Sequence, residues 1–247
     1  MRTDIKPVRA NRALLRHAVT EQIKTYIIEN RLKPGDSLPT EAELCEALNA
    51  SRSSLREAIK TLAALDIVEV RHGFGMFVGR LSLSSLVESL TFRGLLSPED
   101  DFQVLLDLIE VRQLFEQGMA GRIIERLDDG QLAELDGLVD QLEAGGAGES
   151  LVDTDRAFHD LLMQPLGNQL ITQLNGAFWD VYTIVAPYLG IANREEKADT
   201  VAAHRAMVEA VRQRDAAAFA AAVVAHYAPV RQRIAAATRS AAEPARD

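Results

Sequence analysis

Residues 35–78 read GDSLPTEAELCEALNASRSSLREAIKTLAALDIVEVRHGFGMFV, and this stretch decides the fold of the first third of the chain. Pro34-Gly35 ends whatever helix precedes it, because neither residue continues a helix cheaply. Thr40-Glu41-Ala42-Glu43 has the spacing of a capping box, so a short helix begins there and stops near Leu48, at Asn49-Ala50. Ser51 is a good N-cap for the next helix, whose apolar face carries Leu55, Ala58, Ile59, Leu62 and Leu65. Ile67-Val68-Glu69-Val70 alternates as a strand does, Arg71-His72-Gly73-Phe74-Gly75 reads as a turn, and Met76-Phe77-Val78 as the returning strand. Upstream, residues 13–31 set Leu15, Val19, Ile23, Tyr26 and Ile27 at helical spacing. Helix, short helix, turn, helix and hairpin, in that order, predict a winged helix-turn-helix over residues 1–80.

Further along, Arg80–Ser85 reads as a connector, and residues 81–100 as a linker with a connecting helix. From there the pattern is helical, with stretches near 101–126, 129–144, 150–163, 168–188, 196–214 and 215–238. Asp128-Asp129-Gly130, Gly145-Gly146-Ala147-Gly148, Gly167-Asn168, Gly190–Asn193 and Asp215 punctuate them. The expected class is therefore mainly α: the winged head, then an antiparallel all-α bundle over 101–238, with 239–247 as a frayed tail. Aromatic residues make up only 5% of the chain, and the abundance of Leu, Ala, Glu and Arg leans the same way.

The net charge of -9 argues against a polyanionic partner if the chain is taken whole. Residues 1–80 hold 13 Lys and Arg against 10 Asp and Glu, whereas residues 81–247 hold 14 against 26. A nucleic-acid contact thus belongs to the first third. No apolar run is long enough to span a membrane, and the N-terminus lacks the apolar core of a signal peptide. The single cysteine, Cys45, excludes an internal disulfide and suits a reducing cytoplasm, with a small buried residue as its expected role.

In a helix-turn-helix the second helix buries one face and offers the other to base edges in the major groove. The helix after Ser51 offers Arg52, Ser53, Arg56 and Lys60. Arg52 and Arg56 lie one turn apart, and Arg can bond guanine O6 and N7 together. The bland alternative has both arginines solvating a surface helix, paired with Glu57 or Glu43. Here the residues resemble a family. Gly35–Glu41, Leu44, Ser51–Ala58, Leu62, Leu65, Arg71, Gly73, Gly75 and Val78 are similar, without a gap, to the GntR family of bacterial regulators. The resemblance implies operator contacts at Arg52, Ser53, Ser54 and Arg56, and wing contacts at His72 and Gly73. Ala42 departs from it, since some members carry a DNA-contacting Arg there. One helix-turn-helix makes few specific contacts, so a homodimer on a palindromic double-stranded operator is expected.

Three of the five histidines fall in the acidic half. Asp155 and His159 share a helix face with Val152 and Leu162. His204 lies with Val201, Val208 and Val211, and His226 with Phe219, Val223 and Val230. All four therefore point towards the bundle core, where a polar group needs compensation. Either each histidine has its own hydrogen bond, or the four converge on a divalent metal, zinc most commonly, with nickel or manganese also compatible. Asp155, His159, His204 and His226 resemble the FCD effector-binding domain of the FadR subfamily, and that resemblance implies the metal. Arg112, on a stripe with Leu108, Phe115 and Met119, faces inward and needs an anion. The anion is either Glu110, Glu116 or another acidic residue, or the carboxylate of an organic-acid or sugar-acid effector. Leu108–Arg112 resembles the start of the FCD domain, where an Arg commonly serves the ligand. Asn175, Trp179 and Tyr182 are expected to pack in the core, with a place in the pocket lining as the alternative. The expected function is an effector-responsive transcription regulator, most often a repressor in that subfamily. Its rivals are a regulator responding to the metal alone and a metal-dependent hydrolase with a DNA-binding head; no general base or catalytic signature accompanies the four donors.

Overall fold

The first unit of the chain, within Met1–Ser85, is set by its helix caps. The computed structural model describes residues 8–96, 102–145, 149–189 and 197–242. After α1 (Val8–Glu29), α2 (Glu41–Ala47) starts at Thr40, with both reciprocal bonds of the capping box formed to Glu43. The N-cap of α3 (Arg52–Ala64) is Ser51, whose hydroxyl accepts from the Ser54 N–H. The hairpin pairs β1 (Val68–Arg71) with β2 (Gly75–Val78), running from Val68 opposite Val78 to Arg71 opposite Gly75. α1 packs on α3, and Val19, Ile23, Leu44, Leu55, Leu62, Val68 and Val78 form a dry core. Each such side chain contributes on the order of 1.5–3 kcal/mol by leaving water. Leu65, expected on the buried face of α3, is 44% exposed. The helix ends at Ala64 and Leu65 becomes its C-cap, so the helical spacing no longer aims it inward. Cys45 is half-buried beside this core.

The hairpin ends in a tight joint. Asp66, at φ +53°, presents its carbonyl to the Leu81 N–H at 3.0 Å and its carboxylate to the backbone N–H groups of Ser82 and Arg80 at 3.0 and 3.4 Å. The hydrogen bonds to Ser82 hold its carboxyl below the ordinary value. A Cβ at Gly79 would stand 2.1 Å from the Asp66 carbonyl oxygen, so only glycine fits there.

The second unit, Leu86–Asp247, is all-helical among the described residues apart from its turns. Its helices are α4 (Ser84–Leu96, beginning just before the unit boundary), α5 (Gln103–Arg126), α6 (Asp129–Ala144), α7 (Glu149–Met163), α8 (Gln169–Tyr188), α9 (Lys197–Arg212) and α10 (Ala216–Ala242). A single 3-10 turn, Gln164–Leu166, joins α7 to α8. Asp128 and Gln131 form a second capping box at the head of α6, and the Asn168 side chain caps α8. α10 packs against both α9 and α5, α6 against α7 and α9, and α5 against α8. The architecture is mainly α, a winged helix-turn-helix followed by an all-α bundle. The last helix, expected to 238, continues to Ala242; residues 243–247 lie outside the described ones, as do 97–100 of the linker and Gly190–Asn193.

Candidate metal centre and nucleic-acid face

In the first unit, Arg52 and Ser53 stand exposed at the start of α3 and Ser54 is half-buried. The Ser51 hydroxyl gathers these serines, 3.0 Å from Ser53 Oγ and 2.9 Å from Ser54 Oγ. Arg56 Nε donates to Glu41 Oε2 at 3.0 Å, not to Glu43 or Glu57 as the helix spacing suggested. Glu43 is taken by Thr40 in the capping box, and Glu57 by Lys60 at 2.9 Å. Glu41 is thus the carboxylate left facing α3. Such an exposed pair is worth at most about 1 kcal/mol, so a stronger anion displaces it readily. No ion pair holds Arg52 among the described residues. At the wing turn His72 and Gly73 are both exposed, and Gly73, at φ +81°, has open space where a Cβ would lie.

In the second unit, α7, α9 and α10 bring Asp155, His159, His204 and His226 together, with one donor atom from each within 4.8 Å of all the others. His159 and His204 are fully buried, and Asp155 and His226 partly so. His204 Nε2 lies 2.9 Å from Asp155 Oδ1, and the Nε2 atoms of His159 and His226 lie 3.1 Å apart. His204 Nδ1 is 2.7 Å from the Thr200 carbonyl oxygen, which can only accept. Nδ1 therefore carries a proton, and Nε2 is the ring atom turned to Asp155. His159 Nδ1 faces Glu116 Oε1 at 2.7 Å, and Glu116 Oε1 also accepts from the Tyr227 hydroxyl at 2.8 Å. A carboxylate or carbonyl behind a histidine is the usual way a ligating ring is oriented.

The charges follow from this packing. Burial opposes ionisation of Asp155, but the three facing imidazoles, His204 first, hold its carboxyl well below the ordinary range. Burial likewise opposes Glu116, and His159 and Arg112 together keep it below its ordinary value. Burial, reinforced by His204 and His159, pushes His226 well below the usual histidine value, so this ring is neutral near pH 7. The donors fit a divalent ion. Asp155 Oδ1, His204 Nε2 and His226 Nδ1 are buried without a well-aligned hydrogen bond, a costly condition unless something else satisfies them. Ligands sharing one ion at about 2.0–2.2 Å lie within about 4.4 Å of each other. The 4.8 Å spread exceeds that by only a few tenths of an ångström.

Arg112 is 4% exposed and projects from α5 into the cavity beside this cluster. Of its expected protein partners, Glu110 is exposed, and Glu116 turns Oε1 to Tyr227 and His159 while its Oε2 has no hydrogen-bond partner; Arg112 acts on this carboxylate through its charge alone. The guanidinium instead lies 4.3 Å over the Trp179 ring and 5.6 Å from that of Tyr227. Its Nε and Nη2 have no hydrogen-bond partner. The cavity, about 80 Å³, is lined by Arg112, Asp155, Trp179, Tyr182, His226 and Arg233, among others. Trp179 and Tyr182 thus line it, while Asn175 turns away to donate to Asp160 at 2.9 Å. Glu116, Thr200 and Arg233 carried no signal of a site role. Glu116 stood out only as a conceivable partner of Arg112, one turn away on the same helix.

A head of three helices and a wing, with an unpaired arginine at the start of its third helix, joined in one chain to an all-α domain, defines a DNA-binding transcription regulator. The profile described as "Bacterial regulatory proteins, gntR family" matches residues 15–78, and that of the "FCD domain" matches residues 107–229. NedR of Micromonospora viridifaciens is 43% identical over 113 residues, 45% of this chain and 81% of that one. The galactonate operon transcriptional repressor of Escherichia coli strain K12 is 26% identical over 190 residues, 76% of this chain and 83% of that one. The solved structure of the Streptococcus agalactiae GntR, 29% identical, superposes with a TM-score of 0.64 over 88% of this chain and 99% of that one. The chain belongs to the GntR family of transcription regulators and carries the FCD domain of its FadR-like branch; its domains are not those of an enzyme. Among the described residues no helix is long and apolar enough to cross a membrane.

Proposed function

We propose that this regulator is a homodimeric repressor of a palindromic operator, and that a small organic acid, bound in the FCD cavity beside a divalent metal, releases it from DNA. The observation that carries this reading is that two members of the four-donor cluster, Asp155 and His226, line the same cavity as a guanidinium whose Nε and Nη2 have no hydrogen-bond partner, that of Arg112. Asp155, His159, His204 and His226 would hold the ion, zinc being a common choice for a site rich in imidazole. A metal there supplies a Lewis-acidic partner for a carboxylate oxygen. Arg112 offers Nε and Nη2 as a planar pair of donors, a geometry matched to a carboxylate. Trp179 and Tyr227 hold that plane in place and exclude water from it. A coupling of about 1–3 kcal/mol between cavity and operator would suffice for regulation.

The test measures affinity for a duplex selected by the protein from a random pool, with the protein metal-free, metal-loaded, and metal-loaded with a panel of short hydroxy, oxo and sugar acids. Release by one class of acid in the loaded protein is the expected result. Release by the metal alone would identify a metal-responsive regulator instead. Arg112→Ala is expected to keep both metal and DNA binding while losing at least tenfold of the acid response. A normal response in that variant would remove Arg112 from the pocket.

Glu116 has a separate expected effect. Its replacement in Glu116→Gln keeps the shape but removes the charge behind His159. Metal affinity, measured by chelator competition, is expected to fall by about 10–100-fold. An unchanged affinity would mean that Glu116 serves only the Tyr227 hydrogen bond.

A further inference from the structure

Phe74 is the most exposed large hydrophobic side chain of the described residues, at 81%. It sits at the apex of the wing, where the fold has no use for an aromatic ring. Its backbone N–H closes the turn onto the Arg71 carbonyl at 2.9 Å. Its two neighbours are glycines at φ +81° and +103°, and neither has any atom within 4 Å of where a Cβ would stand. The phenyl ring therefore stands alone on a stalk no wider than bare backbone.

The rest of the hairpin is held fast. Arg71 donates twice to Glu69, at 2.9 Å each, and lies 4.2 Å over the Phe77 ring. The base of the hairpin is tied to residues 35–38 by Gly35 N to Val78 O, Val78 N to Asp36 O and Leu38 N to Met76 O, at 2.8–2.9 Å. Met76 and Val78 are buried in the head core. A firm mount that carries a bare aromatic tip, with His72 beside it and the nearest acidic group, Glu69, already neutralised by Arg71, suits an apolar cleft in a polyanion. The minor groove of a duplex is about 6 Å wide. It admits a phenyl ring edge-on between two hydrogens, but not a tip flanked by branched side chains.

We infer that Phe74 is an apolar wedge: on the operator it enters the minor groove and partly unstacks one base step in each half-site. This rests on the head being the DNA-reading unit and goes beyond contact with the backbone. A side chain used this way selects steps that unstack cheaply, which are pyrimidine–purine steps such as TA and CA/TG. It would give this regulator sequence preference at a position where α3 makes no base contact, through the energy of deforming the duplex.

The experiment uses the full chain and a duplex of 30 or so base pairs that it selects from a random pool, with 2-aminopurine placed at successive positions. Wild-type protein is expected to raise the fluorescence at one step per half-site, reporting lost stacking. Phe74→Ala is expected to abolish that rise and lower affinity on the order of tenfold, leaving the dependence of log K on log salt unchanged. Phe74→Lys is expected to recover affinity without the fluorescence rise, and to steepen the salt slope by about one per wing, because it exchanges a wedge for a phosphate contact. If Phe74→Ala keeps both the affinity and the fluorescence change, the wedge is overturned. If that variant alters sedimentation of the free protein instead, the ring is covered by a second copy of the chain, and the wedge is again overturned. A wild-type protein that enriches no duplex at all would refute the DNA-reading assignment itself, a result distinct from either.

Discussion

At the proposed metal site, replacing His204 with alanine is expected to take the divalent ion from about one per chain to almost none by elemental analysis. The argument is geometric. His204 is completely buried, its Nδ1 is fixed against the Thr200 carbonyl at 2.7 Å, and its Nε2 stands 2.9 Å from Asp155. No neighbour can take its place: the ring is boxed in by Phe158, whose centroid lies 4.3 Å away, and by His226 at 4.5 Å. Removing it deletes one of four donors and the main group that keeps Asp155 ionised. The void also costs about 2–4 kcal/mol of stability, so circular dichroism and sedimentation must show that the variant is folded. His204→Glu is the paired control, since its carboxylate reaches about as far as Nε2 and is a zinc ligand. It is expected to recover part of the ion, whereas a merely structural role for the imidazole would leave Glu no better than Ala. An alanine variant that retains one metal per chain would contradict the ligand set.

The second large effect is expected at the other end of the chain. Arg52→Ala should remove specific operator binding while leaving the fold intact, because Arg52 is exposed and makes no ion pair among the described residues. A bidentate arginine–guanine contact is worth about 1–3 kcal/mol of discrimination. Since a dimer uses it twice, specific affinity is expected to fall by two to four orders of magnitude. Binding to random duplex should fall far less. Arg52→Lys is expected to restore some of the non-specific affinity and little of the specific, because a point charge does not reproduce the planar fork. Arg56 offers an instructive contrast: its guanidinium is already bonded to Glu41, so its loss should cost less than that of Arg52. Equal binding of selected and random duplex by wild-type and Arg52→Ala protein would overturn the assignment of α3.

The extent to which the sequence announced these sites follows from how local their chemistry is. Thr40 with Glu43 declares a helix start within four residues, and the structure forms that capping box; the second box, Asp128 with Gln131, lies where only a break between helices was read. Asp155 and His159 were readable because one helical turn places them on one face. His204 and His226 could be added because each sits on the apolar stripe of its own helix. What lies behind those ligands was not readable. Glu116 meets His159 from another helix, 43 positions away in the chain, and Thr200 contributes only a backbone carbonyl, which no residue type advertises. The surroundings of Arg112 were hidden for a similar reason. A buried guanidinium was expected to face a carboxylate, either the protein's or an effector's, and Glu116, one turn away, gives its Oε1 to Tyr227 and His159. The two aromatic rings that meet the guanidinium come from α8 and α10, far along the chain. Phe74 passed as one turn residue among five, since only the hairpin geometry shows that its ring is left in water.

The joint at Asp66 bears on how such proteins are recombined. Three backbone N–H groups beyond the hairpin, on Arg80, Leu81 and Ser82, end on this one residue, and Gly79 is pressed against its carbonyl. The head therefore does not close at its last strand. A chimaera that grafts this head onto a foreign sensor has to carry the native chain through Ser82. A splice placed after residue 80 would keep the Arg80 N–H but replace Leu81, which turns the chain at φ +55°, and Ser82, whose hydrogen bonds do most to hold the Asp66 carboxylate. The portable module is thus defined by where a single aspartate finishes its hydrogen bonds, a few residues past the strand that an eye on secondary structure would choose.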